Sequence, residues 1–248
     1  MSQSAAVHYP AACRHGPIED IGEGIFFVPG SIRLGPLMTI SRNMVVVQND
    51  DHELTLVNPV RLSPEGEAAL ASLGTVRHLV RLGCFHGIDD PYCKQCYGAE
   101  FWAQPDSDRY PEPEPDHLLS EGGPLPIPDA ELFVFRETKK PECALLIKRA
   151  NGVLLTCDSV QHYGDWHRHS FVARLAMRWM GFSLTTLVGP LWLKGLTKAG
   201  GSLRPDFERL LELDFDCLLT AHGTPLATGA KQAVTRAVER AFQSSPSQ

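Results

Sequence analysis

The sequence predicts a layered α/β domain. Three observations support this: strand-like and helix-like runs alternate along the chain, the first helix-like run carries capping signals, and three clusters of His, Asp and Cys each follow an apolar strand-like run. A chain of 248 residues can bury a substantial core without disulfides. It is read as one domain over 1–248, with an N-terminal extension over 1–20.

The first half opens with strands. Gly24 to Val28 is short, aromatic and β-branched, and Leu37 to Val47 ends in three valines. Glu53 to Val57 alternates, and Asn49-Asp50-Asp51 marks a hairpin before it. Ser63 then reads as an N-cap, Pro64 as a first helical residue, Glu67 as the partner in a capping box and Gly74 as the stop. Val76 to Leu82 is a buried strand, Asp89 to Tyr97 a short helix and Ala99 to Ala103 a further strand.

Seven prolines between Pro105 and Pro128 exclude a regular helix or a central strand, so 105–128 is read as a surface loop. Strands resume at Leu132 to Phe135, Ala144 to Lys148 and Val153 to Thr156, the last two joined by Asn151-Gly152 as a type I′ turn. After Asp158 the pattern turns helical, with Phe171, Leu175 and Trp179 at four-residue spacing. Pro205 to Leu213 is a helix, Cys217 to Thr220 a strand and Lys231 to Phe242 a closing helix.

Composition narrows the function. A hydrophobic share of 43% with mixed charge excludes a disordered or fibrous chain. A net charge of −6 argues against a nucleic-acid partner. Seven cysteines suit free thiols and a reducing cytoplasm better than a disulfide scaffold. Met1 to His8 lacks a signal-peptide pattern. The uncharged stretch Trp179 to Leu193 is too short and too broken by glycine and proline to span a bilayer, so no membrane partner is expected. That stretch reads foremost as core; lining a pocket or a homo-oligomer interface is the alternative.

The chemistry gathers at strand ends, where α/β folds collect their sites. The clusters are Cys84-Phe85-His86-Gly87-Ile88-Asp89-Asp90, Cys157-Asp158 and Ala221-His222-Gly223. Imidazole and carboxylate are ligands for zinc, iron or manganese.

The order of elements and these clusters resemble the metallo-β-lactamase superfamily over about residues 20–242. The resemblance implies a four-layer αββα sandwich and metal-assisted hydrolysis. Leu-Leu-Thr-Cys-Asp-Ser, ending at Ser159, resembles the strand that delivers a metal-binding Asp, which places Asp158 there. Leu-Leu-Thr-Ala-His-Gly-Thr-Pro, ending at Pro225, resembles the last motif, which makes His222 a ligand.

The family's His-x-His-x-Asp-His motif is damaged. With His86 as its second His, Cys84 replaces the first, Ile88 the Asp and Asp89 the last His. With His86 as its first, Ile88 replaces the second His, Asp90 is the Asp and Pro91 replaces the last His. A further ligand His, expected near Thr138, is missing.

The resemblance therefore implies a metal-dependent hydrolase with a reduced, mononuclear site and a small-molecule substrate. His86, Asp158 and His222 are its expected ligands, and Asp89 or Asp90 a ligand or proton acceptor. The expected cofactor is one divalent ion, zinc ahead of iron or manganese, and none if the site is fully degenerate. The rivals are a non-catalytic binding protein of the same fold and an iron-binding redox protein.

Other groups have plainer readings. Cys93-x-x-Cys96 with Cys84 and His86 matches a Cys₃His zinc set, or a short helix that buries sulfur. His162 lies close enough to Asp158 in sequence to reach a site, whereas His167 and His169 beside Arg168 read as a solvated basic face. His117 reads as an exposed loop histidine.

Overall fold

The computed structural model describes residues 9–105 and 109–243. The first half holds β1 (Glu19–Gly22), β2 (Ile25–Val28), β3 (Ser31–Arg33), β4 (Thr39–Ser41), β5 (Met44–Gln48), β6 (Glu53–Val57), α1 (Pro64–Leu73), β7 (Thr75–Arg81), α2 (Asp90–Tyr97), β8 (Glu100–Ala103) and β9 (His117–Leu118). The second holds β10 (Ala130–Val134), β11 (Cys143–Ile147), β12 (Val153–Thr156), β13 (Val160–His162), α3 (Phe171–Trp179), β14 (Thr186–Val188), α4 (Pro190–Leu196), α5 (Arg204–Leu210), β15 (Cys217–Thr220) and α6 (Ala230–Phe242).

Two sheets stack face to face, one ordered β1-β2-β5-β6-β7-β8-β9 and the other β10-β11-β12-β15. Val45, Val47, Val57 and Val80 of the first pack on Leu145, Ile147, Leu155 and Leu219 of the second. Alternate residues Met44, Val46, Leu56 and Leu79 point outward against Leu70 of α1 and Cys93 of α2. On the far side Ala144, Leu146, Leu154 and Leu218 meet Trp192 of α4, Phe207 of α5 and Val234 of α6. The result is the predicted αββα sandwich, and it explains the continuous apolar strands: both faces of each sheet are covered.

The chain order places the site. β12 and β15 run parallel in register, with Thr156 opposite Thr220, so Asp158 and His222 emerge side by side at one sheet end. β7 ends on the facing sheet, and Cys143 N–H donates to Leu82 O at 2.9 Å, joining the sheets just before His86.

Several local expectations are corrected. The Leu37–Val47 run is two strands broken at Arg42-Asn43, and β4 pairs with β3 while β5 joins the large sheet. Ser63 caps α1 through Gly66 N–H, but Glu67 does not close the box: His15 Nε2 accepts Ser63 N–H at 2.8 Å, and Glu67 accepts the Tyr92 hydroxyl at 2.5 Å. That ties the N-terminal stretch to the body, and β1 begins at Glu19 within the stretch read as an extension.

Asn151-Gly152 is not a two-residue turn. Ile147 pairs with Val153 across a five-residue loop whose positive φ angles fall on Ala150 and Gly152. Gly152 packs against the Asp214 carbonyl, where a Cβ would stand 2.2 Å from the oxygen, and this sets the loop. The stretch after Asp158 holds β13 and β14 as well as helices. Within it Trp179 is 93% exposed, while Leu187 and Trp192 are buried. The proline-rich loop carries only β9 as regular structure among its described residues. No helix among the described residues is long and apolar enough to cross a membrane.

Candidate metal centre

His86, Asp158 and His222 converge from three separate chain segments. His86 Nε2 lies 3.1 Å from His222 Nε2 and 3.5 Å from Asp158 Oδ2, and His222 Nε2 lies 3.1 Å from Asp158 Oδ1. A tetrahedral ion bound at about 2.0–2.1 Å would hold neighbouring ligand atoms roughly 3.3 Å apart. The three separations bracket that value, so the donor set fits one ion. Both imidazoles are buried, and Asp158 is nearly so.

The surroundings hold these groups in place. His222 Nδ1 lies 2.5 Å from the Ser41 carbonyl, so Nδ1 carries the proton and Nε2 turns its lone pair to the cluster. Ser41 Oγ accepts Gly223 N–H at 2.7 Å, and Asn43 Nδ2 donates to the carbonyls of Thr220 and Gly223. The break between β4 and β5 thus clamps the His222 loop. At Gly223 the φ of +91° and the approach of the His162 carbonyl, 1.9 Å from where a Cβ would stand, admit no side chain.

Glu142 holds the Asp158 loop. One of its oxygens accepts the backbone N–H of both Asp158 and Ser159 at 3.0 Å each. Gln161 Nε2 adds donation to the Asp158 carbonyl at 3.2 Å. His86 Nδ1 is buried without a hydrogen-bond partner among the described residues.

The electrostatics match. Burial opposes ionisation of Asp158, but His86 and His222 against its oxygens outweigh that and hold its pKa below the usual carboxylate range. Burial lowers the pKa of His86, against the pull of the Asp158 carboxylate, which raises it. Burial, then the negative charge of Asp158, pushes the Glu142 carboxyl well up. Burial, then Glu142 and Asp158, pushes the Cys84 thiol up to about 12. Burial and the two carboxylates thus favour the protonated thiol.

Asp89 and Asp90 face elsewhere. Asp89 pairs with the Arg42 guanidinium and accepts Arg61 N–H at 3.1 Å. Asp90 pairs with Arg81 at 3.1 Å, fully buried. Neither lines the cavity above the cluster, whereas Ile88 does.

The Cys₃His arrangement does not form, because His86-Asp158-His222 is the one metal-capable group among the described residues. Cys93 is buried under α2 while Cys96 is exposed. His162 bonds the Thr186 hydroxyl at 2.8 Å, and its carbonyl supports the His222 loop by accepting Thr224 N–H. His169 is buried beside Ser41, not part of a solvated face. His117 stacks on Trp102, with ring centroids 4.0 Å apart.

Ser41, Asn43 and Glu142 escaped the sequence reading. The β4–β5 break at Arg42-Asn43, inside an otherwise β-rich run, is the one signal that pointed to the first two.

A cavity of about 380 Å³ opens onto the cluster. Its walls come from β3 and β4, the segment after β7, α3 and the start of α4.

No protein-family model matches the sequence, and no curated protein does. Solved structures do match. The DIM-1 metallo-β-lactamase aligns with a TM-score of 0.64 at 12% identity, covering 93% of this chain and 99% of its own. This is the metallo-β-lactamase fold. A metallo-β-lactamase from Erythrobacter litoralis matches with a TM-score of 0.64 at 12% identity, over 90% of this chain and 96% of its own. The metallo-β-lactamase FIM-1 from Pseudomonas aeruginosa, in a mono-zinc form, gives 0.61 at 12% identity, over 91% and 96%. At such identities the likeness establishes the metallo-β-lactamase fold and leaves the chemistry to the residues.

Proposed function

We propose that the protein is a metal-dependent hydrolase with a mononuclear site. The observation that carries this reading is the convergence of two imidazole nitrogens and a carboxylate within 3.1–3.5 Å beneath an open cavity. His86, Asp158 and His222 would hold the ion, zinc ahead of iron or manganese for two imidazoles and a carboxylate. Such an ion, when bound, acidifies water and polarises a scissile carbonyl.

The chain's own residues supply the rest. His222 presents Nε2 because its Nδ1 proton is committed to the Ser41 carbonyl. Asp158 brings the negative charge that offsets the cation, and Glu142 and Gln161 fix its direction. The mainly apolar cavity walls lower the polarity around a scissile group, which strengthens charge interactions there. Asp89 and Asp90 are counter-ions to Arg42 and Arg81 in this reading.

A second reading, a binding protein without catalysis, is favoured by that same pairing, which leaves three donors around the site among the described residues. Metal analysis of protein purified without chelator separates the two. Near-stoichiometric metal, lost in His222→Ala and in Asp158→Ala, supports the hydrolase. Metal-free protein that takes up none on titration with zinc, iron or manganese overturns it.

A further inference from the structure

We propose that the substrate carries a long acyl chain, and that the cavity above His86, Asp158 and His222 seats that chain. The inference rests on the hydrolase reading and names its substrate class. The walls are mainly apolar, with Ile40, Ile88, Met177, Phe182 and Trp192 among them, and Arg42 and Arg109 add two cationic groups. The volume of about 380 Å³ falls within the range of small-molecule sites.

The kind of apolar surface selects an aliphatic chain. Methionines are unbranched and adapt to a flexible partner, and Met177 on α3 and Met180 at its C-cap both line the cavity. Ala173 and Ala176 on the same side leave the room between them. The lining also runs out to the surface: Leu34 and Leu191 both border the cavity and are more than half exposed. An apolar tail therefore meets apolar surface at the cavity's exposed border. At the inner end lie His86, Asp158 and His222, the polar groups that act on a carbonyl.

The reaction is hydrolysis of an acyl ester, thioester or lactone. Water oxygen bonds to the acyl carbon, and the bond from that carbon to the leaving oxygen or sulfur breaks. One water proton ends on the leaving group, and the acyl chain departs as a carboxylic acid. No oxidant or reductant is required.

The test separates binding from catalysis. Calorimetric titration of the metal-stripped full chain with saturated fatty acids from butanoate to tetradecanoate reads the cavity alone. Affinity is expected to rise about fourfold per methylene until the cavity is full, then level off. Ala176→Trp, and Met177→Trp as a second variant, shorten the length at which it levels off. Trp179→Gln, on the exposed face of α3, leaves the profile unchanged. A profile flat with chain length, or one that neither filling variant alters in folded protein, overturns the acyl assignment.

A parallel series of nitrophenyl esters with zinc reads turnover. Chain-length-dependent binding without zinc-dependent turnover sinks the hydrolase reading and, with it, the substrate assignment, while a flat binding profile with turnover removes only the acyl chain. Presenting the same esters as monomers and in phosphatidylcholine vesicles distinguishes a soluble acyl compound from a lipid, and turnover that rises with chain length in either form supports the acyl chain.

Discussion

Glu142 grips the loop that carries Asp158: a single carboxylate oxygen accepts the amide protons of Asp158 and of its neighbour Ser159, each at 3.0 Å. Glu142 is fully buried and comes from the sequence just before β11, so a distant strand decides where Asp158 points. Removing the acceptor leaves two buried amides unsatisfied, at about 1–3 kcal/mol each. Glu142→Ala should therefore lower unfolding free energy in urea and weaken zinc affinity by roughly 10–100-fold. Glu142→Gln keeps an acceptor oxygen and removes a charge that burial disfavours at this carboxyl. It should stay within about 1 kcal/mol of the parent, a value at the net worth of one hydrogen bond.

Acid should destabilise the fold through its buried histidines. Burial lowers His169 to about 4, whereas an unfolded imidazole titrates near 6.5. Between those values the unfolded chain binds a proton that the folded chain refuses. Stability is therefore lost as pH falls from about 6.5 to about 4. His86, also lowered by burial, acts in the same direction. His169→Gln should flatten the stability profile over that window, measured by urea melts at several pH values.

Asp90 has the opposite sign. Burial raises its pKa to about 6 against the pull of Arg81. From its ordinary value near 3.9 up to about 6 the folded state holds a proton that the unfolded chain has released, so this contribution is present at low pH and lost as pH rises through about 6. Asp90→Asn should steepen the acid-side loss. Asp90→Ala strands the buried Arg81 guanidinium and should cost about 3–5 kcal/mol at neutral pH.

Two aromatic residues test which stretches are core. Phe207 is fully buried among Phe135, Trp192 and Phe242, so Phe207→Ala should cost about 3–5 kcal/mol. Trp179 is 93% exposed, and Trp179→Gln should change stability by no more than about 0.5 kcal/mol. Thermal melts of the two variants side by side check both.

Apolar strand runs, proline punctuation and the Ser63 cap made most of the fold legible, because each is a local preference that the tertiary structure keeps. Asp158 and His222 were legible for a related reason: each ends an apolar strand, and strands that pair in parallel must deliver their ends together. The Asn151-Gly152 turn was not, because the packing of Gly152 against Asp214 outweighs the local preference of the dipeptide.

His86 shows where local reading stops. Its neighbours Asp89 and Asp90 carry the same ligand chemistry and sit within four residues of it. Nothing in their spacing says that Arg42, just after the distant β4, and Arg81, at the end of β7, neutralise them. Residue types and strand order by themselves determined the layered α/β class and the strand-end position of the candidate site, and the resemblance to the metallo-β-lactamase superfamily supplied the sandwich and the three expected ligands. Only the tertiary structure decided which carboxylates remain with the imidazoles, because burying a charge demands a partner, and which cation meets which carboxylate is settled only on folding.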